Sequence, residues 1–437
     1  MSPNARFDAT TDPALRSWVE VARGSEFPIQ NLPFGAFVRP GETVPRLGVA
    51  IGDWILDLHV VARTGLLDEA VGNAASIFGG TTLNAFLSCG WEAWREVRWR
   101  LSSLLGVGNR ELHDAGIVER ALAERTAARM MLPIDVGDYV DFYSSREHAS
   151  NLGKMLRPDG DPLLPNWRYL PVGYQGRANT IVVSGTPIVR PRGQIKSPDS
   201  DEPFFGPSRM LDFELEVAFV TGDGPPLGAP IPVERAREYI FGVALLNDWS
   251  ARDIQAWEYQ PLGPFLSKSF ATSLAPWIVT LDALEPFRVE GPVQEPQPLP
   301  HLAASDSENF DVALSVELSS AKLRRSEDSP RTIARTNFRG MYWSMAQQLA
   351  HLTSNGAGVR AGDVCGSGTI SGSESGSYGS MIELTWRGTR PIELADGSSR
   401  AFLADGDIVT MRGACDRPGA AHIGLGEVSG TVLPAPN

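Results

Sequence analysis

The chain reads as a mainly β, α+β protein. Short β-type runs outnumber helical stretches beyond residue 134, Gly and Pro punctuate them throughout, and the helical periodicity that exists is concentrated near the N-terminus. The β-type runs are residues 180–184, 211–220, 241–246, 277–281, 312–318, 381–386 and 408–412, interrupted by helical stretches over 250–258 and 341–352.

In chain order, residues 34–60 alternate apolar runs with the turn pairs Pro40-Gly41 and Gly52-Asp53, a pattern of small antiparallel strands. From 82 to 105, Leu83, Phe86, Leu87, Trp91, Trp94, Val97, Leu101 and Leu104 recur at helical spacing. A second helix is expected over 112–131 and is closed by Pro133, which sets a boundary between residues 1–133 and 134–437. Residues 286–308, rich in Pro, Gln and acids, read as a surface loop. Internal repeats are absent.

The 437 residues suit two domains, and 42% hydrophobic with 21% charged residues describes a globular protein. A net charge of −13 argues against nucleic acid as a partner, and any anionic ligand would need Arg and Lys gathered locally. Three cysteines, none in a CxxC pair, support neither a disulfide framework nor cysteine-bound zinc. The polar start MSPNARFDATTDPALRS lacks a signal core, and no run approaches the ~18 apolar residues of a membrane span. A cytoplasmic location is expected.

Within the run 211–220, Phe213, Leu215, Val217 and Phe219 share one parity and Glu214 and Glu216 the other, so both carboxylates leave one face of a strand. A solvated acidic face is one explanation; a buried pair neutralised by a cation or by protons is the other. Asp141 and His148 lie within eight residues, with Tyr143 between them, and His suits general-base work near neutral pH, although a lone His is more often structural. Asp248 sits at a strand-to-helix corner, followed by Ser250-Ala251-Arg252-Asp253, which resembles a capped helix start. Arg252 and Gln255 would share a helix face. Asp248 could instead be a second capping acid and Arg252 half of a surface ion pair. Lys268, between Phe265 and Phe270, could hold a carboxylate or developing oxyanion, or snorkel at the surface. The Gly-rich SGTISG turn (367–372) offers backbone donors but no phosphate-loop Lys, which makes a nucleotide improbable. Together the acids of Asp141, Glu214, Glu216 and Asp248 call for a hard cation, Ca²⁺ or Mg²⁺.

At DFYSSREHA (141–149), LDFELEVAF (211–219), FGVALLNDWSARDIQAWEYQPLGPFLSKSF (241–270), NFRGMYWSMAQQLAHL (337–352) and SGTISG the chain closely resembles the fumarylacetoacetate hydrolase family. The resemblance extends to the N-terminal region. It implies a small SH3-like N-terminal barrel (1–133), then a mixed β-roll catalytic domain (134–437), paired as a homodimer; apolar surface on the 341–352 helix is expected to serve that pairing. It also implies that Asp141, Glu214, Glu216 and Asp248 hold the divalent metal, that His148 is the general base, and that Glu383 is its orienting acid. Arg252, Gln255 and Lys268 match residues around the substrate oxygens, and Tyr143, Arg157, Tyr174 and Thr369 match substrate-binding positions. The chain departs from the family pattern at Gln175, at Ser373 and in the tail 424–430.

The activity implied is hydrolysis of the C–C bond of 4-fumarylacetoacetate, a small dicarboxylic β-diketo acid, to fumarate and acetoacetate at the end of tyrosine and phenylalanine breakdown. Water activated by His148 and Glu383 would attack while the metal stabilises an enolate. Alternatives are a related metal-dependent hydrolase, tautomerase or decarboxylase of β-diketo acids on the same scaffold, or a catalytically silent Ca²⁺-binding scaffold protein.

Overall fold

The computed structural model describes residues 5–197, 199–304, 309–326 and 328–436; residues 1–4 of the polar start and 305–308 of the expected surface loop lie outside this range. Strands β1 (Phe34–Val38), β2 (Arg46–Ile51) and β3 (Trp54–Asp57) form an antiparallel meander, with Gly52 at φ 57° in the tight β2–β3 turn.

The helix expected over 112–131 is absent. Two single turns, Glu111–Asp114 and Val118–Ala121, give way to β4 (Leu122–Glu124) on β3 and β5 (Arg129–Met131) on β1. Gly116, at φ 64°, stops the first turn, and pairing Ala123 with Ile55 buries apolar surface that an isolated helix would leave wet. Gly90, at φ 81°, likewise splits the 82–105 helix into a turn, Asn84–Leu87, and α1 (Gly90–Leu105). The inner stripe of α1 is Trp94, Val97, Leu101, Leu104 and Leu105, as its periodicity requires.

The central sheet has thirteen strands. Further along the chain it contains β6 (Tyr139–Phe142), β7 (Gly173–Gln175), β8 (Ile181–Val183), β9 (Leu215–Thr221), β10 (Ile240–Asp248), β11 (Thr272–Leu274), β12 (Trp277–Thr280) and, near its far edge, β15 (Val364–Gly366). Its main path runs β4-β3-β2-β1-β12-β10-β9-β15-β6-β7, with β11 bridging β10 and β8. The N-terminal strands therefore continue directly into the body through β1 and β12, with Phe34 opposite Ile278. Phe34, Phe86 and Trp94 from the N-terminal segment pack around Phe241 of β10, with ring centroids 5.3–5.7 Å from it.

A five-stranded second sheet comprises β13 (Ala313–Ser319), β14 (Arg331–Asn337), β16 (Ile408–Cys415), β17 (Ile423–Leu433) and the short pair Ile188–Val189. It packs on β10 closely enough that a side chain at Gly430 would collide with Trp249 at 2.6 Å. The sequence pattern gave no sign of β14 or β17. The predicted 341–352 helix forms as Met345–Thr353 and carries a capping box from Ser344 to Gln347. Its apolar face is buried by its own chain, so it offers no free surface for pairing. The run 381–386, expected as a strand, is a short helix, α5 (Met381–Leu384); α2 (Arg146–Leu156), α3 (Arg252–Glu258) and α4 (Met345–Thr353) precede it.

Candidate active site

The strand expected over 211–220 is interrupted. Leu211–Asp212 pairs with Ser250–Ala251, Glu214 bridges Ser380, and only then does β9 begin. The break lets Glu214 and Glu216 converge with Asp141 of β6 and Asp248 at the end of β10, one ligand oxygen from each lying within 4.8 Å of the others. All four are buried, so the solvated-face alternative does not hold.

Lys268 donates to Glu214 at 2.5 Å and Asp248 at 2.7 Å, and Tyr174 and Thr272 each donate to Asp248 at 3.0 Å. Arg252 spans Asp212 (2.8 Å), Glu214 (2.6 Å) and Gln255 (3.0 Å). Asp248 is therefore no helix cap, Lys268 no snorkelling side chain and Arg252 no surface ion pair. Ser250 does not cap α3 either: it lies in a β-bridge and its hydroxyl turns back to the Asp248 carbonyl.

Five buried carboxylates, counting Asp212, face two cations here, an imbalance that demands further positive charge or protons. Burial, then the charge of Asp248, pushes Asp141 well above the usual carboxylate range, and burial followed by Asp141 does the same to Glu216. Burial also works against ionised Glu214, but Lys268 and Arg252 outweigh it and hold its pKa low. One oxygen each of Asp141 and Glu216, and the Tyr139 hydroxyl, are buried without a hydrogen-bond partner. The gap they face is kept open by Gly366, whose added Cβ would lie 2.7 Å from Glu216 Oε2 and 3.1 Å from Asp141 Oδ1. A pocket of unsatisfied carboxylate oxygens beside a side-chain-free glycine fits a hard divalent cation.

Ser145 caps α2 by accepting from the His148 N–H, which fixes His148 in the first turn. Its Nδ1 lies 2.6 Å from Glu383 Oε2. Glu383 also accepts from Asn151 (2.9 Å), Ser371 (2.9 Å) and Ser380 (2.7 Å). Burial opposes its charge, yet His148 and these donors hold its pKa below the ordinary value. An ionised Glu383 assigns the proton to Nδ1 and leaves Nε2 as the acceptor.

His148, Asp141, Glu214, Arg252, Gln255 and Lys268 border one cavity of about 400 Å³, together with Tyr143, Arg157, Tyr174 and Thr369. Tyr143 meets the His148 ring edge-on at 5.3 Å, and the buried Thr369 hydroxyl lacks a partner. Of the thirteen residues the sequence singles out, Glu216, Asp248 and Glu383 lie just behind this lining, each in contact with residues of it. Sequence reasoning missed Asp212, Asn151, Ser371, Ser380 and Thr272. Asn151 carried a signal, sitting three residues after His148 on a helix begun by Ser145, and so did Ser380, three residues before Glu383; the others become visible only when distant segments meet.

The Fumarylacetoacetate (FAA) hydrolase C-terminal family matches residues 139–433, and the Fumarylacetoacetase N-terminal family matches 30–133. Among curated proteins, the chain is 50% identical to a fumarylacetoacetase of Bos taurus over 420 residues, 96% of this chain and 99% of that one. It is 49% identical to a Homo sapiens fumarylacetoacetase over the same shares, and 48% identical to one from Arabidopsis thaliana over 97% and 99%.

Proposed function

The chain belongs to the fumarylacetoacetate hydrolase family, and on that basis we propose that it hydrolyses 4-fumarylacetoacetate to fumarate and acetoacetate. The observation that carries this reading is the His148–Glu383 pair, which opens onto the same cavity as the four-carboxylate cluster. Asp141, Glu214, Glu216 and Asp248 would hold a divalent cation, Ca²⁺ or Mg²⁺. When bound, it supplies charge that favours the enolate form of a β-diketone.

His148 Nε2 takes a proton from water, and the resulting hydroxide adds to the fumaryl carbonyl carbon. Arg252, Gln255 and Lys268 face the oxyanion: Arg252 and Lys268 have N–H groups beyond those given to carboxylates, and Gln255 uses only its carbonyl on Arg252. The C–C bond then breaks, its electron pair leaves with acetoacetate, and protonated His148 returns the proton. Glu383 keeps Nδ1 protonated and stabilises the imidazolium. Tyr143, Arg157, Tyr174 and Thr369 position the substrate. A silent scaffold has no need of a base so fully braced.

We also place the family's domain division near residue 133, a homodimer in solution and a cytoplasmic location on this reading. The dimer is supported by exposed apolar side chains in one segment, Trp257, Leu262, Phe265 and Leu266. Among the described residues no helix is long and apolar enough to cross a membrane. The test is the decay of fumarylacetoacetate ultraviolet absorbance with protein whose metal content is measured, alongside sedimentation. Absence of turnover by metal-loaded protein refutes the activity, and a concentration-independent monomer refutes the dimer.

A further inference from the structure

Four basic side chains border the cavity, Arg387 as an exposed residue at its rim, and its acids engage only two of them. Arg252 is paired with Asp212 and Glu214, and Lys268 with Glu214 and Asp248. Arg157 gives one N–H to the Pro162 carbonyl, while its buried Nε has no partner. Arg387 is the fourth. Among the described residues its guanidinium meets no carboxylate and makes no hydrogen bond.

The backbone marks this position. Trp386, Arg387 and Gly388 take φ 48°, 58° and 83° in succession, a left-handed turn that Cβ-bearing residues resist. A Schellman closure of α5 accounts for one left-handed residue, at Trp386, but does not require a second at Arg387. The turn is pinned by Arg387 N–H on the Ile382 carbonyl at 2.7 Å and by Arg390 N–H on the Thr385 carbonyl at 2.8 Å. Ile382 lines the cavity, and its own N–H rests on Asp212, the carboxylate that holds Arg252. The strained turn therefore brings an unpaired cation to the cavity on the anchor that fixes the oxyanion arginine. Strain kept at a ligand cavity is a mark of function.

We propose that Arg387 is a specificity residue that binds one terminal carboxylate of the diketo-acid substrate, while Arg157 takes the other. This deepens the fumarylacetoacetate reading and rests on it. Two carboxylates need two cations that no protein acid has claimed, and the cavity provides two. In a chain of net charge −13, such local unpaired charge is what lets a dianion enter.

The test is steady-state kinetics of the metal-loaded wild type, R387Q, R387K and R157Q. Each would be assayed on fumarylacetoacetate and on two truncated β-diketones, one lacking the enone-side carboxylate and the other lacking the acetoacetate-side carboxylate. R387Q is expected to raise KM on fumarylacetoacetate about tenfold or more, as loss of a charge-assisted hydrogen bond does. Its kcat should stay within about twofold. The defect should vanish on one truncated diketone, R387K should recover most of it, and R157Q should show the mirror pattern on the other diketone. Melting curves of R387Q and R387K matching the wild type would confirm that folding is not what changed. An R387Q variant with unchanged KM, or with the same loss on all three substrates, overturns the assignment while the hydrolase reading stands. A wild type that cleaves none of them refutes that reading, and the assignment with it.

Discussion

His148 shows how much one side chain owes to its neighbours. Its Nδ1 is committed to Glu383, and Glu383 is held ionised by three further donors, so Nε2 is available as a base. H148A should lower cleavage about 10²–10⁴-fold while leaving calorimetric affinity for a non-cleavable diketo acid nearly unchanged. Near-normal turnover would place the base elsewhere. E383Q should impair cleavage as well, because an amide neither enforces the Nδ1 tautomer nor stabilises the imidazolium, but less than H148A, since the base itself remains. It should also alter stability against pH. The folded pKa of Glu383 is depressed, so its contribution is present above the unfolded value of about 4.3 and is lost as pH falls through the lower folded value. Unfolding free energies of wild type and E383Q should therefore draw together on acidification; curves that stay parallel down to pH 2 would contradict this. Gly366 acts by having no side chain. Ala there puts a methyl 2.7 Å from Glu216 Oε2, so G366A should weaken divalent-cation binding in calorimetry and cost about 1–3 kcal/mol of stability by overpacking. Wild-type cation affinity in G366A would show that the space is not used.

Elements, more than residues, separate what the sequence makes plain from what it hides. The acids, His148 and Lys268 stand in recognisable motifs, and β10, α3 and α4 follow their periodicity to within a few residues. The 112–131 segment does not, because Leu122–Glu124 and Arg129–Met131 are short enough for strand partners to override local preference. Residues 381–386 alternate like a strand, yet Asp212 accepts from the Met381 and Ile382 N–H groups and holds the chain in a helical turn. That contact spans some 170 residues, and no local pattern encodes it. Helix α2 depends on a similar meeting: Gly153 packs so tightly on the 162 peptide that an added Cβ would sit 1.9 Å from the Pro162 carbonyl oxygen. Backbone cannot yield as a side chain can. G153A should push α2, and His148 with it, off position. We expect a lower Tm and a kcat loss exceeding any change in metal affinity; a variant with both unchanged would mean that the loop gives way freely.

Because its two segments share a sheet and a core, the whole molecule is expected to unfold as one cooperative body. Phe34 pairs with Ile278 in the sheet, and Phe34, Phe86 and Trp94 enclose Phe241. Calorimetry should show a single unfolding transition, and residues 134–437 expressed alone should be insoluble or partly folded, with the β12 edge and Phe241 uncovered. Two well-separated transitions would show that the segments are independent. Chelation should lower Tm in the intact protein, since a cation that binds only the folded state stabilises it by mass action. An identical Tm with and without chelator would count against the cation site.

The join between the segments also has a schedule. Asn31 donates its side-chain amide to the Glu26 and Gly424 carbonyls, the latter 393 residues further along the chain. A ribosome adding about 5–20 residues per second needs on the order of 20–80 s to deliver that partner. Throughout that interval the nascent N-terminal segment must wait with Asn31 short of one acceptor, and for the earlier part of it β1 lacks β12 as well. Its vulnerable period is therefore set by translation, and chaperone demand in the cell should track the length of chain still to be made.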